Sequence, residues 1–239
     1  MRHLALLVVA VFLATSLFAS PIIFTGQDPG VGAGGARPNS DAAAAAFAAS
    51  VGSFGLINFE GLAVGAFAGA LTIAPGVTVD MIGNATDTCA GICNVNDTIL
   101  GYNTTSGGSN HLRLVPNFSG PNVDMVFSFG TPIDAWGAYL TGTGTIGAGT
   151  FTITFFDGST QVLSVPETSG GGVEFYGFHD PGRSITQVTF TEVGPFVDGR
   201  DIMGLDDIRY SSANPVPEPS TMILLGSGLL AACARRKKA

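Results

Sequence analysis

The chain has 239 residues, of which 12% are charged and 46% hydrophobic, with 34 glycines and 13 prolines. That mix excludes a coiled coil or charged helical bundle and is too apolar for general disorder. The formal net charge is −8, but four of the ten basic residues form the terminal run Arg235-Arg236-Lys237-Lys238. Between Pro21 and Asn214 seventeen acids face five arginines and no lysine, which argues against a nucleic-acid partner, because phosphate binding needs clustered cations.

At the N-terminus Arg2 and His3 precede the apolar run Leu4 to Leu13, followed by the small residues Ala14, Ser16, Ala19 and Ser20. This is the three-part pattern of a secretory signal peptide, too short to span a bilayer, which takes about 20 residues. Ala14-Thr15-Ser16 fits the small-x-small cleavage rule, a cut after Ala19 is also open, and Pro21 disfavours a cut after Ser20. Residues 1–19 are therefore read as the leader.

Residues 20–53 form a Gly- and Ala-rich lead segment with one short helix over Ala42 to Ala49. Alanine is the best helix former, and Asn39, Ser40 or Asp41 can cap the orphan N–H groups. From residue 54 to 212 the pattern changes to period two, as in Val123 to Phe129 and Phe151 to Phe155. Such alternation builds antiparallel sheets with one buried face. Further strands are expected at Leu56 to Glu60, Val77 to Ile82, His111 to Val115, Ala135 to Thr141, Gln161 to Val165, Val173 to Phe178, Ile185 to Thr191 and Leu205 to Tyr210. The resulting fold class is all-β, a two-sheet antiparallel sandwich of jelly-roll type, with helices added by the lead, the leader and the C-terminal apolar segment. Phe156-Asp157-Gly158-Ser159-Thr160 is the clearest hairpin turn, Asp-Gly supplying positive φ.

Chemistry within this domain is sparse. Gly142-Thr143-Gly144-Thr145-Ile146-Gly147 matches a dinucleotide-binding string, but a strand follows instead of the helix that the motif requires, so it reads as a loop. His111 and His179 have no second His or Cys within a few positions, nothing places a serine beside a histidine, and both read as loop decoration. Cys89 and Cys93 are the sole cysteines of the exported part and lie in loop-like sequence; export puts them where disulfides persist, so they are expected to pair. Asp198, Asp201, Asp206, Asp207 and Glu60 are oxygen donors of the kind calcium favours. Asp206 shares parity with Ile208 and Tyr210, which points it toward the apolar face, where a carboxylate needs a partner. The alternative is solvated turn acids, with Asp207 pairing Arg209 or Arg200. Trp136, Tyr139, Tyr176 and Phe178 could stack on sugars, though aromatics on period-two strands are more often core. Four Asn-x-Ser/Thr strings, at Asn84, Asn96, Asn103 and Asn117, read as polar loops.

Residues 213–239 carry a second signal: Val216-Pro217-Glu218-Pro219-Ser220-Thr221, the apolar stretch Met222 to Ala234, and the basic tail. A helix over those thirteen apolar residues reaches about 20 Å, short of a ~30 Å hydrocarbon core, so it spans only with thinning or snorkelling. The basic run keeps the tail end cytoplasmic and leaves the rest outside. These three ordered parts resemble the PEP-CTERM sorting signal of exported proteins of Gram-negative bacteria. The resemblance implies that Pro217, Glu218 and Pro219 are recognised by a membrane-embedded exosortase, that the tail is removed after transient anchoring, and that the product reaches the cell surface or extracellular matrix. More loosely, Phe59-Glu60-Gly61, Trp136 to Gly142, Val173 to Phe178 and Gly204 to Ile208 resemble the β-sandwich ectodomains that precede such tails. Because jelly-roll modules often hold a structural calcium between first and last strands, the resemblance makes Glu60 with Asp206 or Asp207 a candidate calcium site.

The leading functional expectation is thus a non-catalytic exported sandwich associated with exopolysaccharide or biofilm. Its rivals are a secreted polysaccharide-active enzyme using Glu174 with Asp180 or Asp206, which requires carboxyls about 5–10 Å apart across a cleft, and a purely adhesive surface protein without a small ligand.

Overall fold

In the computed structural model the residues described are 20–67, 69–83, 89–116, 122–143, 149–165, 170–193 and 202–212. The leader, the PEP-CTERM-like tail with Pro217, Glu218 and Pro219, and Asp198, Arg200 and Asp201 lie outside them. The elements in chain order are β1 (Ile22–Pro29), α1 (Pro38–Val51), β2 (Gly55–Ile57), β3 (Gly65–Ala66), β4 (Leu71–Ala74), β5 (Val77–Ile82) and β6 (Gly91–Cys93). They continue with β7 (His111–Leu114), β8 (Asn122–Thr141), β9 (Gly149–Phe155), β10 (Thr160–Ser164), β11 (Gly172–His179), β12 (Ile185–Val193) and β13 (Met203–Ser212).

The two expected strands Val123 to Phe129 and Ala135 to Thr141 are halves of one strand, β8. Its first half pairs with β12 and β5, and its second half with β11 and β13. Between them Gly130 donates its N–H to Gly76 at 2.7 Å, and Pro132, which has no N–H, interrupts the ladder. A strand that bends in this way changes sheet, which is how sandwich corners are made. One sheet runs β4-β5-β8-β12-β9-β10; the other runs β1-β11-β8-β13, continuing to β2 and to β7-β6-β3. All pairings are antiparallel, and the architecture is the two-sheet sandwich that the alternation predicts.

The two inner faces meet in the main core. Trp136, fully buried on the second half of β8, lies 5.6 Å from Phe127 on the first half, 4.9 Å from Phe151 on β9 and 6.0 Å from Phe178 on β11, ring centre to ring centre. Truncating such a side chain costs about 3–5 kcal/mol. The aromatics considered as sugar platforms, Trp136, Tyr139, Tyr176 and Phe178, are all buried, so they serve packing. A second, smaller core lies on the outside of the β11-containing sheet, where Ala43, Ala44 and Phe47 of α1 pack on Tyr139, Val173 and Phe175. This explains why β11 is buried on both faces.

Residues 20–53 are therefore integral to the sandwich: Ile22 to Pro29 pair residue by residue with β11, and α1 covers it. The helix starts at Pro38, earlier than its alanine run suggests, with Arg37 at the N-cap and no side-chain cap of its own. The cap comes from the preceding strand. Asp28 Oδ2 accepts the Ser40 N–H at 2.7 Å, and Oδ1 accepts the Asn39 N–H at 3.2 Å and its side-chain amide at 2.9 Å. A carboxylate there satisfies orphan donors and complements the helix dipole. Burial raises the Asp28 carboxyl pKa, but the bonds from Ser40 and Asn39 outweigh it and hold the group below its ordinary 3.8. Its contribution is thus present above that value and is lost as pH falls through the folded one.

Asp28→Ala is expected to lower unfolding free energy by about 1–2 kcal/mol, read from urea midpoints at neutral pH, with Asp28→Asn losing less. Equal midpoints for wild type and Asp28→Ala would show that α1 is capped elsewhere.

Candidate functional site

Three of the acids singled out in the sequence act on one loop. The segment from Tyr102 to Asn110 connects β6 to β7 and lies on the outer face of the β11-containing sheet, beside α1. Tyr102 anchors it: its N–H donates to Thr141 Oγ1 at 2.9 Å, its carbonyl accepts from the same hydroxyl at 3.0 Å, and its own hydroxyl donates to the Val31 carbonyl.

Glu60 holds one side of the loop. Its Oε1 accepts from the Asn103 side-chain amide at 2.6 Å and from the N–H groups of Ser109 and Asn110 at 3.0 Å each, and Oε2 shares the Ser109 donor at 3.0 Å. A Cβ at Gly108 would lie 2.2 Å from Oε1, so any larger residue there would push the Glu60 carboxylate out of this position. Asp206 and Asp207 hold the other side. Asp206 Oδ2 accepts the N–H of Thr104 at 2.6 Å and of Thr105 at 3.1 Å. Thr105 Oγ1 donates to Asp207 Oδ1 at 2.7 Å. Thr104 Oγ1 lies 3.0 Å from Asp206 Oδ2 and 3.1 Å from Asp207 Oδ2, its single proton serving one of them.

The route by which Asp206 reaches this loop corrects the parity argument. Asp206 stands opposite Tyr139, on the outer face, whereas Leu205 and Ile208 both enter the main core. A register shift between Asp206 and Arg209, with Asp207 at φ 49°, inserts the extra residue that reverses the alternation. Among the described residues the other non-glycine with positive φ is Phe59, at 61°. It immediately precedes Glu60. Left-handed backbone costs roughly 1–2 kcal/mol for an ordinary side chain, and here it aims both ends of the clamp. Asp207 pairs with the threonines, and Arg209 instead donates to the Ala44 carbonyl at 3.0 Å.

Glu60, Asp206 and Asp207 share a loop, yet among the described residues no three His, Cys, Asp or Glu groups are close enough to hold a metal ion. The Glu60 oxygens face N–H donors, an environment suited to an anion and not to a cation's ligand. Asp206 differs: its Oδ1 is buried and has no hydrogen-bond partner, and the Asp207 carboxylate is beside it. Burial, foremost, and that neighbouring charge push the Asp206 carboxyl up to about 7.

Neither of the two pairs considered for a glycosidase, Glu174 with Asp180 or Glu174 with Asp206, is brought together across a cleft. Glu174 and Asp180 are six residues apart along β11 and its end, about 20 Å of extended chain. Glu174 shares parity with Tyr176 and Phe178 toward the main core, whereas Asp206 is on the opposite face of the sheet. Glu174 is fully buried and accepts from the Gln27 amide at 3.2 Å; burial pushes it up to about 8. His111 is buried within β7, not a loop residue, and burial, with the Arg113 charge second, lowers it to about 4. One juxtaposition has no local signal in the sequence: Ser50 Oγ, at the end of α1, lies 2.9 Å from His179 Nδ1. Among the described residues no carboxylate is hydrogen-bonded to that ring, so the orienting third member of a triad is absent from the contact. Cys89 and Cys93 form a disulfide, with Cα atoms 4.8 Å apart.

Residues 215–237 match the family model of the PEP-CTERM protein-sorting motif. The tail is thus a sorting signal of the kind that Pro217, Glu218 and Pro219 suggest. No curated protein matches the chain. Among solved structures, an exo-beta-agarase is similar over 68% of this chain and 26% of its own, at 11% identity and a TM-score of 0.43. The family 11 carbohydrate-binding module of the cellulosomal cellulase Lic26A-Cel5E of Clostridium thermocellum is similar over 67% of this chain and 95% of its own, at 11% identity and a TM-score of 0.37. Among the described residues no helix is long and apolar enough to cross a membrane.

The raised carboxyls set a pH dependence. Between its unfolded and folded pKa values each binds more protons folded than unfolded, so stability falls as pH rises through that window. His111 acts oppositely, but between about 4 and its ordinary 6.5. Between pH 6.5 and 8.5 these raised acids dominate, the raised tyrosines Tyr102, Tyr139 and Tyr176 acting only above about 10, and chemical denaturation midpoints are expected to decline across that range. Glu174→Gln should remove the decline between about 7 and 8, and Asp206→Asn should reduce only the part below about 7. A flat wild-type profile would contradict the burial of these groups.

Proposed function

We propose that this is an exported, non-catalytic β-sandwich protein of a Gram-negative bacterium, sorted to the cell surface or extracellular matrix and associated there with exopolysaccharide or biofilm. The observation that carries the reading is the sorting-motif match over residues 215–237, and the leader-like pattern at the other end of the chain supports it. Proline lacks an amide donor and disfavours helix at the residue before it, so the residue types flanking Glu218 suit an extended spacer. They present one carboxylate on a stiff spacer where the chain meets the membrane. The apolar stretch and four cations then set its depth, so that an exosortase-type enzyme can read it before cutting.

Processing and permanent anchoring differ in mass. In the native host the mature protein is expected to lack Met222 to Ala239, and Glu218→Ala should accumulate uncut. A full-length wild-type protein extracted from membranes, unchanged by Glu218→Ala, would establish an anchor instead.

Within the sandwich, Glu60, Asp206 and Asp207 serve to seat the 102–110 loop. Asp206 and Asp207 are the groups that would engage a calcium ion, with Asp206 Oδ1 as the oxygen not already hydrogen-bonded. Such an ion would neutralise two adjacent buried carboxylates and stabilise the folded state by mass action. The melting midpoint is expected to rise in millimolar calcium relative to chelator, and the rise should be absent in Asp206→Asn. Equal midpoints would remove calcium from the account and leave the clamp as a set of hydrogen bonds.

A further inference from the structure

Among the described residues nothing covers the outer face of the six-stranded sheet β4-β5-β8-β12-β9-β10, in contrast to the outer face of its partner, which α1 and the 102–110 loop cover. Register turns its outward positions into rows that cross the strands. One row consists of Thr160, Thr154, Gln187, Ser128, Thr78 and Thr72, one residue from each strand. All six carry hydroxyl or amide groups. The next row places Thr152 and Thr189 between Val162 and Val126, and a third places Thr150 and Thr191 side by side. With neighbouring strands ~4.8 Å apart, the first row extends about 24 Å, and rows repeat about every 7 Å along the strands.

A sheet face that merely meets water commonly carries lysine or glutamate, which also guard against edge pairing. Here the charges in these rows are Asp80 and Asp124, and Asp124 accepts a hydrogen bond from Thr191 at 2.7 Å. The hydroxyls of Thr72, Thr78, Thr152, Thr154, Thr160 and Thr189 make no hydrogen bond among the described residues. They therefore present donors, acceptors and methyl groups together.

A second observation lies at the end of the same face. Phe156 continues the outward alternation of Thr150, Thr152 and Thr154 and is 75% exposed, more than any other large hydrophobic residue among those described. It borders a depression of about 150 Å³ that also involves Asp157, Arg183 and Ser184. Arg183 is fixed there: it donates to Ser159 Oγ at 2.9 Å, approaches Asp180 at 3.7 Å and stacks on the Phe155 ring. An aromatic ring open to solvent beside a rigid guanidinium and a carboxylate offers both a stacking surface and polar contacts for a pyranose.

We propose that this threonine-rich face, with Phe156 at its end, binds a neutral polysaccharide chain. The proposal rests on the polysaccharide association given above and supplies its site. The occupant is a polyol because the face has rows of hydroxyls. It is uncharged because the described rows contain Asp80 and Asp124 and no cation, which disfavours an anionic polymer; Arg183, at the end of the face, is already engaged by Asp180 and Ser159, and the described rows hold no cluster of acids to attract a basic polymer.

The test uses the protein purified from its native host, with affinity electrophoresis against three probes: exopolysaccharide from that host, agarose as a neutral gel, and alginate as an anionic comparator. Retardation by a neutral probe and not by alginate is expected. Phe156→Ala should weaken it about tenfold, and Thr154→Ala with Thr189→Ala several-fold, with melting midpoints unchanged because these residues are outside the core. Retardation of the wild type that persists in both variants would overturn the site while preserving polysaccharide association. No retardation of the wild type by any probe would overturn both. Equal retardation by alginate would overturn the neutral assignment.

Discussion

The rest of the structure depends on one backbone constraint, the passage of β8 through both sheets. Asn122–Thr141 is a single extended strand, but its ladder partners change on either side of Gly130 to Pro132. Proline supplies no donor at this point, and the Gly130 N–H turns to the Gly76 carbonyl. The bend turns Phe127 and Trp136, from one strand, toward each other across the interior. Core packing and sheet topology are consequently the same fact viewed at two scales, and a corner that failed to form would leave both inner faces without partners.

The outer faces then diverge. On the β11 side the sequence supplies a cover: α1, capped by Asp28, and a loop held by Glu60, Asp206 and Asp207. Asp206 and Asp207 are buried and Glu60 is half-buried; carboxylates withdrawn from water require compensation, and the compensation here is unequal. Glu60 is surrounded by N–H donors. Asp206 has strong donors on one oxygen, none on the other, and a second acid as its neighbour. Such asymmetry is why the three acids, although close in role, are not equivalent in chemistry.

On the β12 side nothing among the described residues covers the sheet. Its outward positions on β9 and β12 are polar, since every second residue of those strands must face away from the core, while Val126 and Val162 interrupt the rows on the neighbouring strands. Composition made those positions threonine instead of lysine, consistent with an exported domain that has no lysine at all between Pro21 and Asn214. The sorting tail and the sandwich are thus separate in the chain: residues 215–237 match the sorting motif, and the sandwich occupies the segment before them.

The longer strands of the sandwich were legible because burial on one face imposes a period of two that needs no knowledge of partners, whereas the short β3, β4 and β6 are too brief to show a period. The Asp157-Gly158 turn was legible because positive φ has a local residue preference, and Gly158 has φ 80°. The tail was legible because its proline spacer, apolar stretch and basic end act in linear order. Sequence also paired Cys89 with Cys93, since the elements of that argument are local. It did not reveal that Ile22 to Pro29 form a strand, because that strand exists through its pairing with β11. Nor did it reveal that Asp28 caps a helix eleven residues later, or that Ser50 meets His179. Asp206 shows the limit most clearly: its residue type was informative, but the face that it occupies was reversed by a one-residue bulge. Periodicity carries direction only while the ladder is regular, and where an extra residue enters, tertiary pairing decides which side a carboxylate faces.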